Sequence, residues 1–368
     1  MNNKILTGIS IIIILLIIGF GFMTRETEET AVSDADLVEY EDNVMLLDTI
    51  NTVRVYAPGE EAGREAVDQV FARLEEIDEK LDIYKEDSEV SRINQNAGGE
   101  PVEVSQETFD LLRDSVELAR ELEGDFDPTI GALTLLWGWG SADGPAAPPE
   151  EEIEAMIDLV DYDKINFDDE NTAVSLAEEG MELDLGAIAK GYASVEAYNI
   201  LEETEVDSAF IDLGGNITLK DIKPDETPWR IGIQNPRAGR GDVMAAVSVD
   251  EEDIERHRAI VTSGDYERYF EEDGEEYHHI IDPATGYPSD HGIISTTIIT
   301  EDPLKADAYS TGILVRGLPG RDLIEEQENM EAIFINDDME VYVTSGIEDE
   351  LEIFDDDFTV VDWDELTD

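Results

Sequence analysis

The sequence predicts one domain of the mixed α/β, or α+β, class over residues 43–362. Two observations lead to this class. Apolar residues recur both with the two-residue period of strands and with the 3.6-residue period of helices, and the two patterns follow each other in irregular order. A regular alternation of strand and helix would instead favour a doubly wound parallel sheet. The hydrophobic content of 41% is enough for an ordinary core.

Four segments carry apolar residues at helical spacing. In the first of them, Val67, Val70 and Leu74 fall on one face. In the second, Ser105 is a suitable N-cap and Gly124 is a suitable residue just past the end of the helix. The predicted helices cover 61–81, 108–122, 151–160 and 304–315, and a proline-rich loop covers 145–149.

Shorter segments rich in Val, Ile, Thr and aromatic residues predict strands. The first of them alternates apolar and polar residues, and an acidic turn separates the last two. The predicted strands cover 44–56, 209–213, 229–234, 259–262, 278–281, 293–299, 331–336 and 340–344.

An almost continuous apolar run occupies residues 5–23. As a helix it would be about 28 Å long, close to the hydrocarbon thickness of a bilayer. Lys4 precedes the run, which favours an N-terminus inside the cell and a body outside. We therefore expect residues 1–24 to be a cell-membrane anchor, residues 25–42 an acidic linker and the domain to be extracytoplasmic. The alternative is a cleaved signal peptide, for which Gly19-Phe20-Gly21 is a suitable cleavage site.

Acidic residues dominate the charge of the chain. There are 92 Asp and Glu against 23 Lys and Arg, a net charge of −69. This excess argues against a nucleic-acid partner, and the absence of Cys excludes disulfides and thiolate metal sites. Since the acid is spread along the whole chain, we expect adaptation to high salt, where screening falls to about 3 Å at 1 M. The alternative is a surface that attracts cations or a basic partner.

Two segments have the composition of an anion or metal site. In 184–193, a carboxylate and a glycine precede a helix start and Lys190, a pattern that favours a phosphate; a capped helix with a surface lysine is the alternative. In 305–312, Asp307, Ser310 and Thr311 share one helix face. Such hard oxygen ligands suit Mg²⁺ beside a diphosphate, although they would also cap a helix N-terminus.

Segment 277–288 contains adjacent histidines, which point to opposite faces if they lie in a strand. One of them can then face a site while the other meets solvent. His279 and Asp282 flank the predicted strand end, and a histidine near a carboxylate is a candidate proton carrier. We therefore predict that both are catalytic residues. A turn with a hydrogen-bonded histidine is the alternative, and zinc is a weak hypothesis without Cys.

Two glycine-rich segments complete the set. Gly214-Gly215 allows either close approach of the backbone to a ligand or a tight hairpin. Segment 124–140 combines glycines with Trp137 and Trp139, which could form the wall for a flat ring or simply part of the core.

Taken in order, these segments resemble the ApbE family of FAD:protein FMN transferases over about residues 43–345. Eight motifs contribute, and their common order makes the resemblance specific. They are Thr49, Tyr84 with the segment 88–94, the segment 126–131 with 136–138, and the segments 184–191, 214–216, 262–266, 279–286 and 306–311.

The resemblance implies a single domain with mixed sheets flanked by helices. It also implies an enzyme that binds FAD and Mg²⁺, cleaves the diphosphate, attaches FMN to a Thr or Ser hydroxyl of a target protein and releases AMP. It assigns proton transfer to His279. The metal ligands that it implies are Ala187, Asp307, Ser310 and Thr311, and the FAD contacts are Tyr84, Asp127, Pro128, Thr129, Asp184, Lys190 and Ile281.

The sequence also departs from the family pattern. Leu47-Asp48 precedes Thr49 where the family often has Met-Gly, and the anchor would replace the lipid that many members carry. No Ser/Thr-Gly-Ala-Thr acceptor motif occurs in this chain, so we expect the flavin acceptor to be another protein, a membrane-associated electron-transfer protein. An FAD diphosphatase and a flavin-binding carrier without turnover are the alternative functions.

Overall fold

The computed structural model describes residues 37–141, 144–239 and 241–363. From Val38 onward the chain forms one compact unit. The predicted anchor and residues 25–36 of the predicted linker lie outside the described residues. Within the described ranges, no helix combines the length and the apolar character that a membrane crossing requires.

Eight α-helices occur in the described part of the chain. The predictions at 61–81, 108–122 and 304–315 are confirmed to within two residues, and Ser105 caps its helix by accepting a hydrogen bond from the Thr108 N–H. The helices are α1 (Glu60–Leu81), α2 (Glu89–Asn94), α3 (Gln106–Glu121), α4 (Gly131–Leu136), α5 (Glu150–Ile157), α6 (Ala189–Glu202), α7 (Pro303–Arg316) and α8 (Arg321–Glu325).

The strands of the described ranges form four sheets. They are β1 (Val38–Leu46), β2 (Thr49–Ala57), β3 (Val102–Glu103), β4 (Ile165–Asp168), β5 (Ala173–Leu176), β6 (Ser208–Leu213), β7 (Asn216–Lys220), β8 (Trp229–Gln234), β9 (Val243–Val249), β10 (Ala259–Gly264), β11 (Tyr269–Glu272), β12 (Glu275–His278), β13 (Ile293–Thr300), β14 (Met330–Asn336), β15 (Glu340–Val343), β16 (Leu351–Ile353) and β17 (Thr359–Val360).

The largest sheet has nine strands in the order β1-β2-β6-β7-β10-β13-β14-β15-β17. All of its neighbouring strands are antiparallel except β15 and β17, which are parallel. Three small sheets accompany it, in the orders β16-β9-β8, β3-β5-β4 and β11-β12. The expected combination of mixed sheets with flanking helices is therefore confirmed.

The nine-stranded sheet separates two hydrophobic cores. Because side chains alternate along a strand, Val261 and Phe334 enter the core that also contains α1, α3, α6 and α7. Their neighbours Ile260 and Ile333 enter the second core, which the β16-β9-β8 sheet covers. Helices thus pack on one face of the large sheet and strands on the other.

The prediction of one strand over 44–56 was wrong, because this segment is a hairpin of β1 and β2. Leu47 and Asp48 form its two-residue turn with φ angles of 51° and 57°. A two-residue turn leaves the alternation of apolar and polar residues unbroken from β1 into β2. The sequence pattern alone therefore does not reveal that the chain reverses its direction. Moreover, β1 begins at Val38, and residues 38–42 belong to the domain rather than to the linker.

The strand predicted over 278–281 was also wrong beyond its first residue. β12 ends at His278, and Ile281 forms only an isolated bridge to Pro288. Asp184, which the sequence places before a helix start, follows an isolated bridge between Ile130 and Glu182. The strands that no predicted range covers are β3, β4, β5, β7, β9, β11, β16 and β17. The Gly214-Gly215 segment forms the turn between β6 and β7, which is the hairpin alternative.

Candidate active site

Helix α6 begins at a point where the chain supplies no cap of its own. Its N-cap position is Ile188, which has no polar side chain to accept a hydrogen bond from the first turn. Asp307 of α7 takes over this role, because its Oδ2 accepts a hydrogen bond from the Gly191 N–H at 2.7 Å. A carboxylate from a second helix therefore occupies the positive end of the α6 dipole.

Gly191 allows this arrangement because it has no side chain. A Cβ at this position would lie 2.6 Å from the Pro303 carbonyl oxygen and 2.7 Å from the Asp307 Cβ, closer than real Cβ contacts come. The backbones of α6 and α7 can therefore approach each other only with glycine here. The sequence motif Lys190-Gly191 combines this contact with a cation at the same helix end.

Three hydroxyl groups lie next to Asp307. The Ser263 hydroxyl at the end of β10 is 2.8 Å from the Ser310 Oγ and 3.2 Å from the Thr311 Oγ1. Ser310 also donates a hydrogen bond to the Asp307 carbonyl oxygen. Asp307 is buried, and its Oδ1 lies 3.5 Å from the Lys190 Nζ. This set of one carboxylate with hydroxyls is the chemistry that a hard divalent cation prefers.

A cleft of about 390 Å³ opens beside this cluster, within the range of small-molecule sites. Its wall contains Thr262, Ser263 and Thr311, and also Ala187, so the metal ligands predicted from two distant segments meet at one place. The other predicted site residues in its wall are Tyr84, Asp127, Asp184, Lys190, His279 and Ile281. Asp307 and Ser310 lie immediately behind Lys190 and Ser263.

Pro128 and Thr129, predicted to contact FAD, do not line the cleft. Both are buried, and Thr129 donates a hydrogen bond to Asp127 while it accepts one from the Asp161 N–H. Asp127 reaches the wall, but its two oxygens accept three hydrogen bonds, two from Thr129 and one from the Tyr162 N–H. Burial raises the pKa of Asp127 to about 6. This segment supports the wall rather than presenting free polar groups to a ligand.

Asp282, predicted to be catalytic, lies outside the cleft wall and serves its own turn. Its Oδ1 accepts a hydrogen bond from the Ala284 N–H at 2.8 Å and its Oδ2 one from the Thr285 hydroxyl at 3.0 Å. The carboxylate of the Asp-Pro-Ala-Thr-Gly sequence therefore stabilises its own turn through local hydrogen bonds, as in an Asx turn. We withdraw Asp282 as a catalytic residue and retain it as a residue that positions the loop after His279.

His279 presents its imidazole to the cleft in a defined tautomer. Its Nδ1 lies 3.2 Å from the Arg268 carbonyl oxygen, which can only accept a hydrogen bond. Nδ1 therefore carries the hydrogen, and Nε2 keeps its lone pair. Burial, with contributions from the nearby Arg268, His278 and Lys190, lowers the pKa of His279 to about 3. The imidazole is thus neutral and able to accept a proton.

His278 does not meet solvent, contrary to the expectation for the second histidine of the pair. It is buried, its Nε2 donates a hydrogen bond to the Ser289 carbonyl oxygen, and its Nδ1 accepts one from the Ile280 N–H. Burial lowers its pKa. His278 therefore fixes the loop that carries His279.

Aromatic residues close one end of the cleft. Tyr84 donates a hydrogen bond to the Trp139 carbonyl oxygen, and its ring lies over Gly140, where a Cβ would collide with it. The Trp139 ring faces His279 edge-on at 6.1 Å. Its Nε1 is buried and has no hydrogen-bond partner within the described ranges, although Trp139 lines the cleft. The glycine-rich aromatic segment thus contributes Trp139 to the wall, and both Trp139 and Trp137 also belong to a small hydrophobic core.

Two functional candidates, Ser263 and Arg268, were given no role from the sequence. Ser263 bridges the two α7 hydroxyls, and Arg268 lines the cleft beside His279. Ser263 lies in a segment that contributes to the family resemblance, which was a usable signal. For Arg268 the only signal was the scarcity of cations, since the chain has 23 Lys and Arg among 368 residues.

A profile of the ApbE family matches residues 47–334. This range contains every residue of the cleft wall. The chain belongs to the ApbE family. The expected resemblance is confirmed. The matched range includes both segments that supply the predicted metal ligands, 187–191 and 307–311.

The relatives carry the name FAD:protein FMN transferase. The protein from Treponema pallidum is 33% identical over 333 residues, which cover 86% of this chain and 90% of its own length. The protein from Vibrio cholerae is 32% identical over 270 residues, which cover 73% and 78%. Both relations extend over most of each chain, so they concern the whole domain rather than one motif.

Two crystal structures share the fold. The ApbE protein of Thermotoga maritima has a TM-score of 0.76 at 33% identity, and the similarity covers 85% of this chain and 99% of that protein. The flavin transferase ApbE of Vibrio cholerae has a TM-score of 0.73 at 26% identity, with the same coverage. The prediction that this chain is a member of a transferase family is confirmed.

Proposed function

We propose that this protein transfers FMN from FAD to a Thr or Ser hydroxyl of a target protein, with Mg²⁺ as the metal and AMP as the leaving group. One observation carries the proposal. A neutral imidazole with a free Nε2 lone pair and a carboxylate–hydroxyl cluster lie on one cleft of about 390 Å³. Phosphoryl transfer to a hydroxyl needs both a proton acceptor and charge neutralisation on the phosphates.

Binding of FAD is supported by the charge and the shape of the cleft. Lys190 and Arg268 place two of the chain's few cations in the wall, where they can offset the negative charge of a diphosphate. Trp139 and Tyr84 offer aromatic surface for a flat ring. The unpaired Nε1 of Trp139 is a donor that a bound ligand can satisfy.

The residues that would hold Mg²⁺ are Asp307, Ser310 and Thr311, with the carbonyl group of Ala187. Mg²⁺ bound there would neutralise the non-bridging oxygens of the diphosphate and orient it for displacement. The protein contributes a carboxylate that is already fixed by the Gly191 N–H. Lys190, at 3.5 Å from Asp307, balances its charge and can turn toward a phosphate.

In the proposed reaction His279 accepts the proton of the target hydroxyl at Nε2. The hydroxyl oxygen then forms a bond to the phosphorus of the FMN half, and the bond between this phosphorus and the bridging oxygen breaks. AMP leaves with the electron pair of that bond. An imidazole that is neutral before FAD binds is available for this step, and the negative charge of the bound diphosphate raises its basicity.

The setting of the reaction is also a proposal. The apolar N-terminal run would anchor the domain outside the cell membrane, near a membrane-associated electron-transfer protein that accepts the flavin. The charge of −69 would suit an environment of high salt.

The test uses the full-length protein in detergent with FAD, Mg²⁺ and a candidate electron-transfer protein. We expect a covalent FMN adduct on a Thr or Ser of the acceptor, detected by mass spectrometry, and one AMP per adduct. AMP release at the same rate without acceptor would identify an FAD diphosphatase instead. FAD binding with neither AMP nor adduct, in the presence of a proven acceptor, would identify a carrier.

A further inference from the structure

A second cluster of metal-binding groups lies outside the cleft. It combines His257, in the turn between β9 and β10, with Asp253 from the same turn and Glu350, which precedes β16. One potential ligand atom from each residue lies within 4.8 Å of those of the other two. None of the three lines the cleft.

The buried histidine of this cluster lacks a satisfied partner. The His257 side chain is only 1% exposed, yet its Nδ1 has no hydrogen-bond partner among the described residues. The nearest acceptor is the Glu350 Oε2, at 3.1 Å but without hydrogen-bond geometry, and this oxygen is itself buried and unpartnered. Two orphaned polar atoms that face each other are costly, since each has lost its water.

The charges around the cluster favour a cation between these atoms. The Asp253 carboxylate places negative charge beside both Glu350 and His257. Asp250 and Glu331 add further negative charge near Glu350. Arg256 is the one cation among the groups that act on Glu350 and His257, and it pairs with Asp253. The carboxylates thus repel each other, and an imidazole nitrogen beside them is a ligand that metals accept.

We propose that Asp253, His257 and Glu350 form a second metal site, which takes a divalent transition-metal ion such as Zn²⁺. One imidazole nitrogen with two carboxylate oxygens is a ligand set that Zn²⁺ accepts, with water completing the coordination. Mg²⁺ prefers oxygen ligands alone, so this site and the cleft would select different ions. The inference does not depend on the proposed function.

The position of the site points to a structural role. Residue Leu351 of β16 pairs with Val247 of β9, and the Ser248 N–H donates to the Glu350 carbonyl oxygen. An ion would tie the turn after β9 to β16, and so close one edge of the sheet that covers the second core. The cluster and the cleft lie at opposite ends of β10. His257 comes just before the first residue of this strand, Ala259, whereas Ser263 of the cleft wall is four residues further along, about 13 Å from Ala259.

Metal binding to the full-length protein in the absence of FAD tests the inference. After treatment with a chelator, Zn²⁺ at 100 times its Kd should raise Tm by about 4 °C, and Mg²⁺ should raise it much less. Co²⁺ should give the visible absorption of an imidazole-bound ion. Both signals should be lost in Glu350→Gln and His257→Gln, and retained in Asp307→Asn, which changes only the cleft.

Asp349→Asn is the matched control, because it removes one exposed acidic charge next to Glu350 without touching the cluster. It should keep the full Zn²⁺ response. Glu350→Gln is the deciding variant, since its side chain is partly exposed and similar in size. A Zn²⁺ response that is absent from the wild type, or equal in the wild type and Glu350→Gln, overturns the proposal.

Discussion

Asp307 caps a helix to which it does not belong, because its Oδ2 accepts the Gly191 N–H of α6 at 2.7 Å. This contact fixes the carboxylate before any metal arrives and leaves Oδ1 facing Lys190. The same residue therefore has a structural role through one oxygen and a proposed catalytic role through the other. The two roles can be separated by substitution.

Asp307→Asn should separate them. The amide oxygen can still accept the Gly191 N–H, so Tm should stay near that of the wild type, but the lost charge should reduce flavin transfer at least about 100-fold. Asp307→Ala should also lose the cap, at about 1 kcal/mol of unfolding free energy. Urea denaturation and adduct formation, measured on both variants, check this. Wild-type transfer by Asp307→Asn would contradict the metal assignment.

Gly191→Ala should destabilise the fold and disable the site together. The new Cβ would press on the Pro303 carbonyl and the Asp307 side chain, an overpacking that typically costs about 1–3 kcal/mol. Urea denaturation should report this loss, and transfer should fall because Asp307 is displaced. Gly239→Ala is the control: its Cβ would meet only the end of the Asp242 side chain, at 3.4 Å. Equal stability of the two variants would refute the close helix contact.

His279→Gln should remove the group that accepts the proton. Flavin transfer should therefore be about 10²–10⁴-fold slower, while FAD binding persists. Rates measured across pH 6–9 at saturating FAD check this. His279→Asn is the companion variant, because its amide nitrogen takes the position of Nδ1 and can still donate to the Arg268 carbonyl oxygen, so that the loop should keep its conformation. A variant that retains the wild-type rate would show that another group takes the proton.

Acid should affect the wild type more than His279→Gln. In the folded protein the pKa of His279 is lowered to about 3, whereas the unfolded value is about 6.5. The unfolded state therefore binds the proton more readily, and stability is lost as pH falls from 6.5 toward 3. By pH 5 this amounts to about 1–2 kcal/mol. Urea titrations of both proteins at pH 7 and pH 5 measure the difference; equal losses would contradict it.

Salt should stabilise the protein. With 92 acidic against 23 basic residues, repulsion opposes the compact state until it is screened, and the screening length falls from about 10 Å at 0.1 M to about 3 Å at 1 M. Tm should therefore rise by several degrees between 0.1 M and 1 M NaCl. A flat or falling Tm would reject adaptation to high salt, and would favour the alternative of a surface that attracts a basic partner.

The elements that sequence could predict were those with long, undisturbed periodicity. Helix α1 shows this best, since Val67, Val70 and Leu74 are all fully buried. The β1–β2 hairpin failed because Leu47 occupies a left-handed turn position, with φ of 51°, that sequence patterns assign to Gly or Asn. Most of β1 is exposed, so its first residues also carry little hydrophobic signal.

The candidate site was predictable where its residues are close in sequence. The spacing of Asp307, Ser310 and Thr311 placed them on one helix face, and the structure places two of them against one partner, Ser263. That partner comes from β10, and only tertiary contacts bring it there. Asp282 failed for a local reason: its carboxylate accepts hydrogen bonds from Ala284 and Thr285 of the same turn, which the Asp-Pro-Ala-Thr sequence could have indicated.

The cleft draws its wall from Leu47 near the start of the domain to Thr311 near its end. A nascent chain that ends before Asp307 lacks both the cap of α6 and the part of the wall that Thr311 contributes. Such a chain, or a proteolytic fragment that ends earlier, cannot assemble the complete cleft. Competence to hold a ligand thus arrives only after segments that are far apart in the sequence have folded together.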